Sequence, residues 1–441
     1  MLGNAQEYAQ RRQRLIKGIG PGSVAIIAAA QECLRNGDAH YPYRQNSDFY
    51  YLTGLNEPEA VAVFIPGRAE GEFILFNRER NPEMEIWVGP RAGQEGACKI
   101  YGADQSFAIE QLDEKMPQFL ENHPRLYYAI GRDVGFNRRV LSWVATVQSK
   151  VRAGVNAPAE FYNIEKIVHE MRLRKTAAEL DLMRTAAEIS AQAHKRAMQV
   201  CRPGMMEYEL EAELQYYFTR KASRSPAYSH IVGAGANSCV LHYNDNDKQI
   251  ADGDLVLIDA GAEYKNYAAD ITRTFPANGR FSTEQKIVYE IVLATQLGVI
   301  AAIKPGILWA KLEEIATEII TQGLLDCGLL KGDFAELLST RAFRQFYMHR
   351  IGHWLGLDVH DAGNYKTEDG QSRLLEPGMV FTVEPGIYIA ADNPGVDKKW
   401  WNIGIRIEDD VLVTENGCEV LSRSAPKTIA EIEECMANAK Q

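Results

Sequence analysis

An internal repeat is the feature that most restricts the fold of this 441-residue chain. The segment CRPGMMEYELEAEL (201–214) is similar to IKPGILWAKLEEIA (303–316), and in both Pro-Gly precedes an amphipathic helical pattern. DGDLVLIDAG (252–261) is likewise similar to PGMVFTVEPG (377–386), with an acidic residue between two glycines at the same spacing. A period of roughly 100–125 residues is too long for a solenoid, so the pattern predicts two related halves folded face to face.

The repeat occupies only the second part of the chain, which indicates a separate domain before it. Residues 22–150 alternate short apolar runs with helix-compatible segments, a pattern typical of an α/β domain with a buried sheet. Thr176 and Glu179 form a capping box that opens a long helix. A chain of this length also exceeds what one hydrophobic core usually supports. We therefore predict an N-terminal α/β domain over 1–172 and a second, α+β domain over 173–441.

Charge and cysteine usage exclude several classes of protein. The net charge of −11, from 48 basic and 59 acidic side chains, disfavours a nucleic-acid partner. The seven cysteines have no paired spacing, which indicates free thiols in a reducing cytosol. The N-terminus has no signal-peptide pattern, and the apolar run SVAIIAAA (23–30) is too short to cross a membrane. The sequence thus predicts a cytoplasmic protein with no membrane partner.

Acidic residues stand where the apolar strands of the repeat end. Asp259 ends the first strand-like run of a predicted hairpin over 254–276, and Asp270 is expected in its second strand. Pairing across this hairpin would bring the two carboxylates together. Glu384 ends the equivalent strand of the second half, on the same face as Thr382, because side chains alternate across a strand.

A fourth acid, Glu408, follows in NIGIRIEDDVLV, where it shares a strand face with Arg406. Burying ionised carboxylates costs several kcal/mol each unless they are paired or bound to metal. One guanidinium does not balance four carboxylates, whereas divalent cations would. The sequence therefore predicts a metal site.

Three histidines fall within HRIGHWLGLDVHD (349–361), out of nine in the chain. Gly352 and Gly356 disfavour a regular helix there, so we expect a turn or strand edge that carries a metal ligand. Four carboxylates with one imidazole and no thiolate suit Mn²⁺, Co²⁺ or Zn²⁺. The acids suffice for two ions, which could share a bridging water and polarise a carbonyl, as in metal-dependent hydrolases.

The residues of this predicted site resemble the five metal ligands of the pita-bread metallopeptidases, in the superfamily of creatinase, prolidase and methionine aminopeptidase. The phrases LIDAG, AADITRTFP, HRIGHWLGLDVHD, TVEPGIY and GIRIEDD, together with NSDFYYLTGLNEPEA near the N-terminus, resemble the bacterial aminopeptidase P branch. The corresponding ligands are Asp259, Asp270, His353, Glu384 and Glu408. The resemblance implies a creatinase-like N-terminal domain and a pita-bread catalytic domain with a pseudo-twofold axis.

The resemblance also implies an activity, a cofactor and roles for individual residues. It implies hydrolysis of the bond between an N-terminal residue and a penultimate proline, with two divalent metal ions, Mn²⁺ being the expected one. Glu384 would move a proton from the bridging water to the leaving nitrogen, and His360 would hydrogen-bond the oxyanion. Further residues are implied in catalysis (His242) and in substrate binding (His349, Tyr388, Arg406 and Trp87).

Alternatives and partners complete the expectations from the sequence. A prolidase, which cleaves only dipeptides, has the same five ligands, whereas a metal-free pita-bread peptide-binding protein would have lost them. Homo-oligomerisation to a dimer or tetramer is expected, because in this family a neighbouring N-terminal domain can wall the active site, and Trp87 resembles a residue used that way. Gln371 occupies a position at which relatives have an arginine, and this difference alters the expected binding of substrate residues beyond the proline.

Overall fold

The computed structural model describes residues 5–438, which form two compact units, one ending at Arg172 and the other beginning at Leu173. The N-terminal unit contains a mixed six-stranded sheet in the order β6-β5-β4-β1-β7-β8. Its strands are β1 (Ser23–Ala28), β2 (Leu34–Asn36), β3 (Ala39–His40), β4 (Val61–Phe64), β5 (Phe73–Asn77), β6 (Gln105–Ala108), β7 (Arg125–Tyr128) and β8 (Glu160–Asn163). Its helices are α1 (Ala5–Ile19), α2 (Ser47–Thr53), α3 (Pro82–Val88), α4 (Gly93–Lys99), α5 (Leu112–Leu120), α6 (Val134–Gln148) and α7 (Glu165–Leu173).

The apolar runs of the N-terminal unit form the centre of its sheet, as predicted. β1 pairs with β4 antiparallel and with β7 parallel, and Val24, Ile26 and Val63 are fully buried. Helices α5 and α6 pack over this sheet with Leu112, Val140 and other buried side chains in one apolar cluster. A sheet covered in this way explains why its strands are apolar on both faces.

The second unit repeats one arrangement twice. Its helices are α8 (Ala177–Val200), α9 (Glu207–Arg220), α10 (Thr283–Ala302), α11 (Trp309–Asp326), α12 (Phe334–Ser339) and α13 (Ile429–Asn438). Its strands are β9 (Ile231–Ala234), β10 (Leu255–Asp259), β11 (Glu263–Tyr264), β12 (Tyr267–Ala268), β13 (Thr272–Pro276), β14 (Val380–Val383), β15 (Gly386–Ile389), β16 (Ile403–Arg406), β17 (Asp409–Thr414) and β18 (Gly417–Val420).

Each half has a helix pair followed by a three-stranded antiparallel sheet, so the predicted duplication is confirmed. In the first half α8 packs on α9 and the sheet order is β13-β10-β9; in the second, α10 packs on α11 and the order is β14-β17-β18. The predicted capping box is also present, because the Thr176 hydroxyl accepts from the backbone N–H of Glu179 and the Glu179 carboxylate accepts from that of Thr176.

Helix α10 is long and apolar enough, by length and composition alone, to cross a membrane. In the structure it is a core helix. Val288, Val292 and Val299 are fully buried, and the Gln296 amide donates to the carbonyl of Ile407 between the strands. Its apolar character is explained by packing within the second unit.

One strand assignment was wrong. Asp270 was expected inside the second strand of the hairpin, but β13 begins at Thr272, and the short strands β11 and β12 occupy the connection. The backbone N–H of Asp270 donates to the Asp410 carboxylate, 3.1 Å away, instead of joining a strand ladder. The register that pairs Asp259 with Thr272 still brings the two acids together.

Candidate metal centre

A cavity of about 600 Å³ in the second unit collects most of the predicted site residues. Asp259 reaches it from the end of β10, Glu384 from the residue after β14, and Glu408 from the short link between β16 and β17. The cavity is lined by all five predicted ligands and by four further predicted residues, His242, His349, His360 and Arg406. Strands from both halves of the repeat therefore end at one place.

The segment that carries His353 is held as an irregular strand edge, as expected. The carbonyl of Ile351 accepts from the N–H of Glu384, and that of His353 accepts from the N–H of Thr382, each at 2.9 Å. A side chain at Gly352 would place its Cβ 1.9 Å from the carbonyl oxygen of Thr382, so only glycine allows this close approach. The pairing fixes His353 beside Glu384.

The ligand atoms lie close enough to share cations. One ligand atom each from Asp270, His353 and Glu408 falls within a 4.8 Å cluster. The Nε2 atom of His353 is 3.3 Å from Oδ2 of Asp270 and 3.5 Å from Oε1 of Glu384. The Tyr228 hydroxyl lies 2.5 Å from Oδ1 of Asp259 and of Asp270, which ties Asp259, the fifth predicted ligand, to the group.

The tautomer of His353 suits metal binding. Its Nδ1 atom is 3.1 Å from the carbonyl oxygen of Trp354, which can only accept, so Nδ1 carries the proton. Nε2 is therefore the ring atom that faces the carboxylates, the arrangement usual for a metal-ligating histidine.

Negative charge in the cavity is only partly balanced by the protein. Arg406 forms a salt bridge of 2.7 Å with Asp259. Within residues 5–438, Asp270, Glu384 and Glu408 have no lysine or arginine at salt-bridge distance. Burial raises the pKa of Glu384 to about 7 and, together with repulsion between the carboxylates, also raises the pKa values of Asp270 and Glu408. A buried site of this charge and donor set fits divalent cations.

Hydrogen bonds from outside the ligand set orient the carboxylates. The Thr272 hydroxyl donates to Oε2 of Glu408 at 2.6 Å, and the Thr382 hydroxyl donates to Oε1 of Glu384 at 3.1 Å. Neither role was predicted from the sequence, and nor were those of Tyr228 and Asp410. Only Asp410 had a sequence signal, since it belongs to the acidic run after Arg406.

His349 and Arg406 line one wall of the cavity, and Tyr388 links them. The Tyr388 hydroxyl is 2.9 Å from Nε2 of His349 and accepts from Nη1 of Arg406 at 3.0 Å. Nδ1 of His349 donates to the carbonyl of Arg350, so Nε2 accepts from Tyr388. Burial and then the charge of Arg406 lower the pKa of His349 to about 4, which keeps its ring neutral. Tyr388 is only 3% exposed, so it supports this wall from behind.

The other predicted residues are placed as follows. The rings of His360 and His353 meet edge to face with centroids 4.3 Å apart. Burial, followed by the charges of His353 and His242, lowers the pKa of His360. Trp87 lies on α3 in the N-terminal unit and is 82% exposed, so it is not a core residue of that unit.

Residues 181–415 match the model of metallopeptidase family M24, and residues 8–127 match that of the aminopeptidase P N-terminal domain. The Xaa-Pro aminopeptidase of Escherichia coli K12 is 46% identical over 99% of this chain and 98% of its own. The structure of Pseudomonas aeruginosa aminopeptidase PepP is similar with a TM-score of 0.98 and 55% identity, over 99% of this chain and 98% of that one. Zn-substituted E. coli aminopeptidase P in complex with product has a TM-score of 0.96 and 46% identity, over 99% of each chain.

Proposed function

This chain belongs to metallopeptidase family M24, and from that membership we propose that it is a Xaa-Pro aminopeptidase. The observation that carries the proposal is the convergence of all five predicted ligands on one cavity, three of them carboxylates without a lysine or arginine partner among the described residues. A metal-free peptide-binding protein would not need to retain such a set, because burying these charges without cations is unfavourable.

The ligand set would hold two divalent ions, which when bound lower the pKa of a water molecule and polarise the scissile carbonyl. We propose that Glu384 moves the proton. Its Oε1 atom is 3.5 Å from Nε2 of His353, and its Oε2 atom is 3.9 Å from Nδ1 of His349. One carboxylate oxygen thus faces the ligand cluster and the other faces the wall predicted to hold proline. A proton taken on the first side can be delivered toward the leaving nitrogen on the second.

His360 is exposed to the cavity beside His353, where its ring can donate a hydrogen bond to the carbonyl oxygen as charge develops. Donors of this kind contribute about 10²–10³ in rate in other hydrolases. The neutral His349 ring and the apolar Val359 and Ile231 side chains offer a compact surface for the proline ring. An imide nitrogen has no N–H to satisfy, so such a pocket favours proline over ordinary residues.

The test is turnover of short peptides by the purified protein loaded with divalent metal. An aminopeptidase should release the N-terminal residue from Ala-Pro-Ala and Arg-Pro-Pro far faster than it cleaves the dipeptide Gly-Pro. A prolidase would show the reverse order. Full-length similarity to an Xaa-Pro aminopeptidase favours the first outcome. Activity that persists after exhaustive chelation, with no metal found by elemental analysis, would exclude a metallopeptidase.

The identity of the metal is a finer proposal. We propose Mn²⁺, because four carboxylates and one imidazole form a hard donor set without thiolate. Elemental analysis of protein purified without added metal, followed by reconstitution with Mn²⁺, Co²⁺ or Zn²⁺, tests this. Higher kcat/KM with Zn²⁺ than with Mn²⁺ would contradict it.

Oligomerisation and location are also proposals. We propose a homo-oligomer, a dimer or tetramer, because α3 exposes Ile86, Trp87 and Val88 together, and contiguous exposed apolar side chains mark interaction sites. Light scattering of wild type and Trp87→Glu tests this, and identical monomeric masses would contradict it. We propose a cytoplasmic location, supported by the seven free cysteines. Cell fractionation tests the location.

A further inference from the structure

Glu408 lies in the short link between β16 and β17, so its position depends on contacts from another strand. Its backbone N–H donates to the carbonyl of Thr272 at 3.1 Å, and its carbonyl accepts from Nη1 of Arg273 at 2.6 Å. The same Nη1 atom donates to the carbonyl of Thr272 at 2.9 Å. Two consecutive residues of β13 therefore hold the main chain of this predicted ligand on both sides of its Cα atom.

Arg273 lies on the face of β13 opposite to the metal centre. The hydroxyl of Thr272 donates to the Glu408 carboxylate and that of Thr274 to the carbonyl of Arg406, both on one face. Side chains alternate across a strand, so Arg273 takes the other face, where it is fully buried. Its influence on the metal centre passes through the residues that it contacts.

The remaining donors of the Arg273 guanidinium bind the chain after Glu408. Nη2 donates to the Asp409 carboxylate at 2.7 Å and to the carbonyl of Ala425 at 3.1 Å. Nε donates to the carbonyl of Pro426 at 2.9 Å. Together with the two bonds from Nη1, all five N–H groups of the guanidinium are used. A planar group with every donor engaged has one orientation, so it fixes three segments of the chain against one another.

Asp409, the counter-charge of Arg273, is itself held in place. Its buried carboxylate also accepts from the Ser422 hydroxyl at 2.7 Å, from the Gln296 amide at 3.1 Å and from the Lys427 ammonium group at 2.7 Å. The guanidinium is therefore anchored on the side away from the metal centre, and it can impose a position on Glu408.

We propose that Arg273 is a positioning residue for the metal centre, because its guanidinium sets the main chain from which the Glu408 carboxylate reaches the ions. The inference rests on the proposed metallopeptidase function. Metal ligands have to be held within about 0.5 Å of their productive geometry. Loss of the guanidinium should therefore weaken metal binding even where the charge beside Asp409 is kept.

Arg273→Lys is the test variant, because lysine keeps the positive charge but has three donors on a flexible stem instead of five in a planar fork. The measurements are calorimetric titration of the metal-free full chain with Co²⁺ and the visible absorption spectrum of the Co²⁺-loaded protein. The variant should bind Co²⁺ with a Kd about tenfold higher and show an altered spectrum. Its kcat on Ala-Pro-Ala should fall while KM stays within about twofold of wild type, because substrate binding is not affected.

Arg172→Lys is the matched control. Arg172 is also a buried arginine with an aspartate carboxylate at 2.7 Å, that of Asp48, but it belongs to the N-terminal unit. This control should keep the wild-type Kd and spectrum. Lys427→Met removes the other cation beside Asp409 and leaves the bonds to Glu408, so it should lower stability without raising the Kd for Co²⁺.

The double variant R273Q/D409N provides a second test that does not depend on the folding of Arg273→Lys. It removes the guanidinium and its counter-charge together, so this pair leaves no unpaired charge in the core. Because glutamine lacks the fork, the double variant should show the same rise in Kd and the same change of spectrum as Arg273→Lys. Circular dichroism verifies that each variant is folded.

The outcomes separate the inference from the function. A wild-type Kd and spectrum in either folded Arg273 variant overturns the inference and leaves the metallopeptidase function intact. An equal rise in Kd in Arg172→Lys or Lys427→Met also overturns it, as does failure of both Arg273 variants to fold, since Arg273 would then support the fold as a whole. A wild type that neither binds Co²⁺ nor cleaves Ala-Pro-Ala overturns the proposed function itself.

Discussion

Each unit of this protein contains a group of acidic and histidine side chains close enough to hold a metal ion. The group in the N-terminal unit consists of Asp48, Glu165 and His169, and that in the second unit of Asp270, His353 and Glu408. Residue types and spacing are similar in the two groups. What differs is the charge around them.

The N-terminal group is already neutralised by the protein. Asp48 accepts from Nη1 of Arg172 at 2.7 Å and lies 3.2 Å from Nε2 of His169. Glu165 pairs with Arg132 and also accepts from the Asn163 amide. These carboxylates have their partners, so this group is a structural ion-pair network.

Within residues 5–438, the group in the second unit lacks lysine and arginine partners, because the Arg406 guanidinium is engaged by Asp259. Burial raises the pKa values of Asp270 and Glu408 in the absence of cations, whereas Asp48 has a lowered pKa. Proximity of ligand types therefore does not distinguish the two groups. What distinguishes the predicted metal site is its smaller number of protein cations around buried carboxylates.

The largest expected effect is loss of a carboxylate from the unbalanced group. Asp270→Ala should lower kcat/KM by about 10³-fold or more and reduce bound metal, since loss of partners outside the ligand set alone typically costs about 10–100-fold. Steady-state kinetics and elemental analysis measure both. The matched Asp48→Ala variant should retain its metal content. Equal loss of metal in the two variants would contradict the proposed difference between the two groups.

A buried carboxylate that is paired with a lysine in the second unit provides the next test of the comparison. Lys175 and Asp361, each 1% exposed in its side chain, pair at 3.0 Å and support the turn that carries His360. Lys175→Met removes the buried ammonium group 3.0 Å from the Asp361 carboxylate, so we expect a loss of about 3–5 kcal/mol of stability. Metal content should be unchanged, because neither residue is a ligand.

Denaturation of Lys175→Met beside the exposed control Lys331→Met measures this cost. The double variant K175M/D361N should recover part of the loss, because it removes the uncompensated charge. A Lys175→Met protein as stable as the control would contradict the buried pair as a stabilising element.

Metal addition should affect the two units unequally. A ligand at 100 times its Kd stabilises the folded state that binds it by about 2.7 kcal/mol. Calorimetry with and without saturating Mn²⁺ should therefore raise the Tm of the second unit and leave that of the N-terminal unit unchanged. A shift confined to the N-terminal transition would show that Asp48 and His169 bind the metal.

The smallest effect concerns Asp48 and pH. Burial acts to raise its pKa, but hydrogen bonding from His169 and the charge of Arg172 hold that pKa below the ordinary value. Its stabilising contribution is therefore present above about pH 4 and is lost as pH falls through the folded-state pKa. Asp48→Asn should lower the free energy of unfolding by about 1–3 kcal/mol at pH 7. This difference in stability between variant and wild type should narrow toward pH 3. Denaturation at several pH values measures this difference, and a difference in stability that widens as the pH falls would contradict the lowered pKa of Asp48.

Much of the fold could be predicted because local patterns carry it. The capping box of Thr176 and Glu179, the buried strand at Ser23–Ala28 and the duplicated phrases around Asp259 and Glu384 all depend on residues near in sequence. Asp270 was misplaced because its N–H bonds to Asp410, a residue 140 positions away. The hydrophobic periodicity of a sequence contains no information about a contact between residues so far apart in the chain.

The two related halves, the five predicted ligands and the order in which they occur could be inferred from the sequence alone, because hydrophobic spacing and strand ends are local properties. Which carboxylates are paired with a lysine or arginine could be seen only in the tertiary structure. Arg406 reaches Asp259 across 147 positions, and Lys175 reaches Asp361 across 186. Electrostatic balance depends on distance in space and on exclusion of water, and both exist only after the halves have packed together.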